Sequence, residues 1–304
     1  MKPASVGPSR VEANGKGISA EDLAAEEWPF VSRYLDVEGN RIHYIDEGRG
    51  PVLLFVHVGF WSFVWRDVVT RLRSEFRCIS LDFPGTGFST ASTAHENTLA
   101  ANTKVLDAFV QRLGLENLTL VMHDLGGPVG FGFGGRNPGL VRALVISNTF
   151  GWPLAEYKWI KRVLGLMSGP TMTTLNRRFN IVARMSSGRF GVGKQLSRRA
   201  KRTFLTPFRA RSTRETWSEL IGDPLRIEDD LAVIDRLLST VLRDVPVLTI
   251  FGARNDPYDW QGRYARTFSH ARPVVIEKGM HFPFMDDPER FSASIRDWWR
   301  DAVI

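Results

Sequence analysis

The stretch Leu118-Thr-Leu-Val-Met-His-Asp-Leu-Gly-Gly-Pro-Val-Gly130 decides the fold of this 304-residue chain. Its first five residues, Leu118 to Met122, form an apolar run typical of a strand buried on both faces of a sheet. A polar pair and two glycines follow, and the small and apolar residues after them can begin a helix. The stretch therefore predicts a buried strand, a tight turn and a helix, with Asp124 at the turn.

This predicted turn matches the nucleophile elbow, in which a sharp bend between strand and helix presents one reactive side chain. The usual form is G-x-S-x-G. Asp124 stands in the place of the serine, Gly126 satisfies the requirement for a small residue two positions later, and Met122 occupies the place of the first glycine. Helix N-capping is the alternative role for an aspartate here, so the match needs support from the rest of the chain.

Strand and helix patterns alternate on both sides of the elbow. Apolar or alternating runs predict strands at 32–37, 41–46, 52–58, 78–81, 141–147, 245–251 and 273–277, and helical spacing predicts helices at 63–72, 97–113, 227–242, 259–268 and 288–299. This alternation predicts the α/β fold class, with a mostly parallel sheet flanked by helices on both faces.

The alternation is interrupted once, which predicts the domain organisation. Residues 150–224 contain short amphipathic pieces and no strand signal, so we expect an inserted helical segment, the predicted cap, within a core domain of residues 29–149 and 225–304. Residues 1–28 are rich in glycine, serine, alanine and charge, and we expect them to form a mobile tail.

Two further polar residues follow predicted strands. Asp256 comes after the strand at 245–251, and His281 comes after the last strand. Because the carboxyl ends of parallel strands meet at one edge of a sheet, Asp124, Asp256 and His281 are expected to converge there. They occur in the chain order nucleophile, acid, base. Asp259 and the position of Asn148 are alternative places for the acid, although an amide carries no charge.

Each residue of this constellation has a distinct predicted task. An ionised Asp124 is already a nucleophile and suits displacement at a saturated carbon, which leaves an ester on the enzyme. His281 can take a proton from water and direct it at that ester. Asp256 would hold the imidazole in one tautomer and stabilise its charged form. A turn residue is the alternative role for both His281 and Asp256.

An oxyanion site and a pocket complete the predicted centre. The backbone N–H groups of Leu125 and Gly59 are the expected oxyanion donors. Apolar residues near the predicted strand ends are candidate pocket walls, with ordinary core packing as the alternative: Phe60, Trp61, Phe150 and Trp152.

Composition limits the partners that we expect. The net charge is +7, yet residues 158–214 hold fifteen Lys or Arg and no Asp or Glu, so the remainder carries 7 − 15 = −8. Without a nucleic-acid-binding motif, a solvated basic face is favoured over nucleic acid or acidic lipid binding. The single Cys78 cannot form an internal disulfide, and no signal peptide or membrane span is evident. We therefore expect a cytoplasmic protein with no cofactor or metal; its oligomeric state stays open.

These motifs together resemble the α/β-hydrolase superfamily, in the branch with an aspartate nucleophile, and they are most similar to the haloalkane dehalogenases. The pieces that carry the resemblance are Ile42–Gly48, Leu54–His57, Trp65-Arg66, Asp82-Phe-Pro-Gly-Thr-Gly-Phe-Ser89, Met122–Gly127, Gly252–Pro257 and Gly279-Met-His281. The resemblance implies an Asp–His–Asp triad, a cap that covers the pocket, and hydrolysis of a small apolar organic substrate by water.

The chain also departs from that family. Dehalogenases resemble one another in a tryptophan directly after the nucleophile that holds the departing halide, and Leu125 has no donor. Trp152 or Trp159 in the predicted cap could supply one. Epoxide hydrolases share the nucleophile but use two cap tyrosines, and this cap contains only Tyr157. A dehalogenase-like hydrolase is thus the first hypothesis, an epoxide hydrolase the second, and a non-catalytic binding protein on the same scaffold the third.

Overall fold

A computed structural model describes residues 11–13, 16–188, 191–192 and 196–303. The strands are β1 Val11–Ala13, β2 Lys16–Ile18, β3 Arg33–Val37, β4 Asn40–Glu47, β5 Val52–His57, β6 Arg77–Leu81, β7 Leu118–Asp124, β8 Val141–Thr149, β9 Val247–Gly252 and β10 Ala271–Ile276. The helices are α1 Arg66–Leu72, α2 Leu99–Leu113, α3 Gly126–Arg136, α4 Lys158–Ser168, α5 Pro170–Phe179, α6 Ile181–Ser186, α7 Arg198–Phe204, α8 Arg211–Gly222, α9 Glu228–Ser239, α10 Trp260–Thr267, α11 Pro283–Asp286 and α12 Pro288–Ala302.

Eight of the strands form one sheet in the order β10-β9-β8-β7-β5-β6-β4-β3. The strands from β5 to β10 pair in parallel, while β3 and β4 form an antiparallel edge. The chain reverses its direction of winding between β5 and β7, where one strand leads to β6 and the other to β8. Ligands of open α/β sheets bind at such switch points. The predicted α/β fold is confirmed, and the elbow strand β7 lies at the switch point.

The two faces of the sheet bury separate hydrophobic clusters, as β5 illustrates. Leu53 and Phe55 pack in the cluster that holds α1 and α12. Leu54 and Val56 point the other way, into the cluster that holds α2, α3 and α9. All four side chains are fully buried. A strand covered on both faces needs a continuous apolar run, which explains the pattern of its sequence.

The N-terminal segment departs from the predicted mobile tail. Residues 1–10 and 14–15 lie outside the described residues, but β1 and β2 form a two-stranded antiparallel sheet. Trp28 is only 4% exposed, and its ring lies 5.0 Å from those of both Phe30 and Trp61. Burial of this indole fixes the end of the segment against the core, because a large apolar side chain is more stable out of water.

Between β8 and α9 the described residues form the helices α4 to α8, and α8 packs against both α4 and α5. Across the part of the chain that the structure describes, no helix is both long and apolar enough to cross a membrane. The helices α4 to α8 follow β8 in the chain. Thr149 at the carboxyl end of β8 pairs with Asp124 at the end of the elbow strand β7, so the segment leaves the sheet next to Asp124.

Candidate active site

The elbow places Asp124 in a strained conformation. Its φ is 49°, in the left-handed region that non-glycine residues seldom adopt, and the pairing of β7 with β8 shifts register between His123 and Asp124. The Thr149 hydroxyl donates a hydrogen bond of 2.5 Å to the Asp124 carbonyl oxygen. Such strain persists only where neighbouring contacts hold it, and it is frequent at functional sites.

Two glycines allow the helix after the elbow to approach the sheet. A Cβ atom at Gly126 would overlap the backbone oxygen of Val56, and a Cβ atom at Gly127 would overlap the Thr149 hydroxyl. The first obstacle is backbone of the neighbouring strand β5 and cannot move aside. The sharp turn therefore requires small residues at these positions, as the elbow motif predicts.

His281 faces the Asp124 carboxylate. Its Nε2 atom lies 3.6 Å from Asp124 Oδ2, and the two side chains are 33% and 24% exposed. This separation exceeds an ordinary hydrogen bond, but catalytic contacts in unliganded enzymes are often long. The structure thus brings together the predicted nucleophile and base, and leaves both open to water.

The structure does not join Asp256 to His281, in contrast to the prediction. The Asp256 carboxylate instead accepts hydrogen bonds from the backbone N–H groups of Trp260 and Gln261, at 2.8 and 2.9 Å. N–H groups in the first turn of a helix have no acceptor within the helix, and an aspartate side chain is well suited to accept from them. Burial raises the pKa of Asp256, although the same two N–H groups act in the opposite direction.

Asn255 occupies the place next to His281 that was predicted for Asp256. The Asn255 side-chain oxygen lies 3.0 Å from His281 Nδ1. Asn148 fixes the loop from behind, because its amide donates to the Asn255 carbonyl and its oxygen accepts from the Gly252 N–H, both at 3.0 Å. Sequence reasoning missed Asn255, and the signal available was its position directly beside the favoured aspartate.

The environment keeps Asp124 ionised. Burial by itself would raise the pKa of this carboxyl, but the hydrogen-bonding contact with His281, the electrostatic interactions with the His281 and His57 rings, and the Leu125 N–H outweigh it. The pKa of Asp124 is therefore lowered. A carboxylate that stays charged at neutral pH needs no base to become a nucleophile.

Three imidazole rings form a row that leads from His281 in the site to the buried rings of His123 and His57. The ring centroids of His57 and His123 are 5.0 Å apart, and those of His123 and His281 are 4.8 Å apart. Burial lowers the pKa of His57 to about 4. Burial, together with repulsion from His281 and His57, holds the pKa of His123 well below its ordinary value. The two inner rings are therefore neutral at pH 7.

A cavity of about 330 Å³ opens beside Asp124 and His281, and its further lining includes residues from several parts of the chain. Asn148 and Phe150 come from the end of β8 and the residue after it, Asn255 and Tyr258 from the loop after β9, and a group of apolar side chains from α4. Tyr258 is a further lining residue that sequence reasoning missed. The cavity has the size of a small-ligand site, with a few polar groups beside an apolar wall.

Only one of the four predicted pocket residues lines this cavity. Phe150 does so, whereas Phe60, Trp61 and Trp152 do not. The Trp61 indole is buried and donates to the carbonyl of Phe204 at 3.0 Å. Phe60 and Trp152 are likewise at most 5% exposed, so these three side chains are packed in the core.

Of the two predicted oxyanion donors, the Leu125 N–H lies beside the Asp124 carboxyl. Leu125 begins the turn into α3 with its N–H near the Asp124 carboxyl. Gly59 adopts a φ of 98°. A Cβ atom there would lie 3.3 Å from both Cδ1 and Nε1 of Trp217 on α8, so the glycine leaves room for that indole. The sequence did not point to Trp217.

An aspartate elbow at the switch point of an eight-stranded sheet, facing a histidine, is the arrangement of an α/β-hydrolase. Residues 51–288 match the family described as alpha/beta hydrolase fold, and the chain belongs to this family of enzymes. Within it, the chain is haloalkane dehalogenase-like, as its relatives indicate.

Two relatives are similar in sequence over most of their length. Haloalkane dehalogenase 2 of Mycobacterium tuberculosis (strain H37Rv) is 30% identical over 278 residues, which cover 88% of this chain and 94% of that protein. The cis-3-alkyl-4-alkyloxetan-2-one decarboxylase of Shewanella oneidensis is 30% identical over 241 residues, which cover 76% of each protein.

Two solved structures share the fold. The haloalkane dehalogenase DbeA from Bradyrhizobium elkani gives a TM-score of 0.78 at 20% identity, covering 88% of this chain and 97% of that one. The epoxide hydrolase CorEH gives a TM-score of 0.77 at 17% identity, covering 89% and 99%. The same scaffold therefore occurs in enzymes with different named activities.

Proposed function

We propose that this chain hydrolyses small apolar organic substrates through a covalent ester on Asp124. The observation that carries the proposal is the ionised Asp124 carboxylate, raised on a strained turn at a cavity wall, 3.6 Å from His281 Nε2. In the first step a carboxylate oxygen attacks a saturated carbon, and the bond from that carbon to its leaving group breaks, with the electron pair departing on the leaving group.

The second step is hydrolysis of that ester. His281 takes a proton from water as the water oxygen attacks the carboxyl carbon of Asp124. The Leu125 and Gly59 N–H groups are the proposed donors to the resulting oxyanion. Collapse of the tetrahedral intermediate breaks the bond to the product alcohol, whose oxygen receives the proton held by His281. The second proton of the water leaves the Asp124 carboxyl for solvent, which restores the carboxylate.

Asn255 is the proposed orienting residue for the base. In the tautomer with the proton on His281 Nδ1, that N–H donates a hydrogen bond to the Asn255 side-chain oxygen. Nε2 is then unprotonated and faces the site. An amide fixes the tautomer without adding charge. For Asp256 to take this role, its carboxylate would have to leave two backbone N–H groups of α10, each of which would lose its partner.

Epoxide hydrolysis is the second candidate, and Tyr258 favours it. Epoxide opening benefits from a hydroxyl donor to the oxygen that becomes negative, and Tyr258 lines the cavity. Tyr157 does not line it, and its hydroxyl accepts from Arg263 at 3.3 Å. In the case of a haloalkane, an indole N–H could hold the departing halide. Trp159 on α4 lines the cavity and is the candidate for this role, whereas Trp152 does not line it.

Trapping the ester tests the proposal. A His281→Gln variant, incubated with a panel of brominated alkanes, alkyl epoxides and a dialkyl oxetan-2-one, should accumulate an adduct visible by intact-protein mass spectrometry. The mass of the adduct identifies the substrate class. The matched control is His281→Gln combined with Asp124→Ala, which should remain unmodified. An adduct that persists in this double variant, or the absence of any adduct and any turnover across the panel, contradicts the proposal.

A further inference from the structure

Helix α4 carries an apolar face that nothing in the described chain covers. None of its eleven residues is buried. Ile160, Leu164 and Met167 pack partly against the core clusters. On the adjacent face, Trp159 is 64% exposed and Leu166 is 68% exposed. Solvation of two such side chains on one short helix is unfavourable, so this face marks an interaction surface.

The exposed residues form one continuous stripe. Trp159, Val163 and Leu166 are spaced by four and three positions, which places them in line along one side of a helix. Val163 is 37% exposed. Trp159 and Val163 also line the cavity beside Asp124. The apolar surface therefore runs from the outside of α4 to the mouth of the candidate active site.

Basic residues occupy much of the remaining exposed surface of the same helix. Lys158, Lys161 and Arg162 are exposed, and none forms an ion pair with the carboxylates of the described residues. The chain from residue 158 to residue 214 carries no acidic residue at all. This surface thus combines an apolar stripe with uncompensated positive charge, and its partner must offer both apolar contact and negative charge.

We propose that α4 docks this face of the molecule reversibly on an anionic lipid bilayer. A helix with a basic face and a Trp-containing apolar face lies in the plane of the interface, with its apolar side chains at the boundary of the headgroups and acyl chains. Each basic residue gains attraction from anionic headgroups. A nucleic acid would match the charge but leave the apolar stripe in water, so the bilayer is the better fit.

Docking places the cavity mouth against the membrane, where apolar molecules concentrate. This consequence for substrate supply rests on the proposed function, but docking itself does not. An Asp124→Asn variant should therefore bind vesicles as well as the unaltered chain does. Vesicle binding and turnover can thus fail independently of each other.

Vesicle co-sedimentation tests the docking. The full chain should sediment with vesicles of phosphatidylcholine containing 30 mol% phosphatidylglycerol, and much less with pure phosphatidylcholine. Lys161→Glu with Arg162→Glu should weaken this binding by about tenfold or more, because two attractive charges become repulsive. Leu166→Ser, which is not at the cavity, should weaken it through loss of apolar contact.

Matched controls use exposed residues outside the inserted helices. Lys104→Glu with Arg112→Glu on α2 makes the same change in net charge, and Val233→Ser on α9 removes a side chain that is 45% exposed. Both controls should bind like the unaltered chain. Equal weakening by controls and α4 variants, no sedimentation with anionic vesicles, or retention on a DNA or RNA duplex in place of vesicles would overturn the proposal.

Discussion

The Asn255–Asp256 pair shows how the site depends on single residues. Neighbouring side chains in a loop point in different directions, and only the three-dimensional turn determines which one reaches His281. Asn255 does so, while Asp256 accepts hydrogen bonds from the first two N–H groups of α10. Asp124 and His281 could be predicted because they follow strands whose ends must converge. The residue that contacts His281 Nδ1 could not be predicted, because a shift of one position in a loop leaves no trace in the apolar pattern.

A carboxylate in place of Asn255 should change the pH dependence of hydrolysis. Asn255→Asp sets a negative charge 3.0 Å from the imidazole, which stabilises its protonated form. More alkaline solution is then needed to free the ring as a base. The acid limb of kcat/KM should move to higher pH by about one unit. An unchanged limb would show that this contact does not act on the base.

Removal of the Asp256 carboxylate should affect stability instead. Asp256→Ala deprives the Trp260 and Gln261 N–H groups at the start of α10 of their acceptor and should lower the free energy of unfolding by about 1 kcal/mol, measured by urea denaturation. The acid limb of kcat/KM should stay where it is. A shift of that limb without a change in the free energy of unfolding would indicate that Asp256, and not Asn255, orients His281.

The buried imidazole of His57 should make the protein sensitive to acid. Its pKa is about 4 when folded and 6.5 when exposed, so the unfolded chain binds an extra proton between these values. Titration of this ring leaves the free energy of unfolding unchanged above pH 6.5. Between pH 6.5 and 4 it lowers the free energy of unfolding by about 1.4 kcal/mol for each unit that the pH falls. His57→Gln should reduce the slope by one proton, measured from unfolding at several pH values. The exposed His270→Gln serves as control, and an equal effect of both would contradict this account.

At the scale of elements, the order of strands and helices follows from the sequence, while their ends do not. The pattern predicts a strand at 245–251, but β9 begins at Val247 and ends at Gly252. The predicted helix at 63–72 begins as a short 3-10 turn, Ser62–Trp65, before α1. Apolar periodicity reports which face is buried, whereas local hydrogen bonds decide where an element begins.

The elbow should tolerate no side chain at Gly126. Gly126→Ala forces a methyl group onto the backbone oxygen of Val56 and should lower the free energy of unfolding by at least about 2 kcal/mol. A Cβ atom added at Gly139 would have no neighbouring atom within 4 Å. Gly139→Ala should therefore change the free energy of unfolding by less than about 0.5 kcal/mol. Similar urea midpoints for the two variants would mean that α3 can move away from β5.

At the scale of the whole molecule, the core closes through contacts that are distant in sequence. The N-terminal segment was predicted to be mobile because of its polar composition, yet Trp28 packs on Trp61. The signal that would have corrected this prediction is the group Trp28-Pro-Phe30, which is apolar within a polar region. Compositional averages conceal such anchors, since a single large side chain can hold a segment in place.

Trp28 should therefore contribute to global stability. Trp28→Ala removes an almost fully buried indole and should lower the free energy of unfolding by about 3 kcal/mol or more. Trp159→Ala, at a residue that is 64% exposed, should lower it by less than about 1 kcal/mol. Equal losses in the two variants would indicate that the N-terminal segment is not part of the cooperative core.

One turnover in water enriched in oxygen-18 distinguishes a transient ester on Asp124 from direct attack of water on the substrate. With enzyme in excess over the substrate identified by trapping, the water oxygen should enter the Asp124 carboxylate. Peptide mass spectrometry should then find the peptide that contains Asp124 heavier by about 2 Da, and the product alcohol unlabelled. Oxygen-18 in the alcohol, with the Asp124 peptide unchanged, would mean that water attacks the substrate directly and would contradict the account.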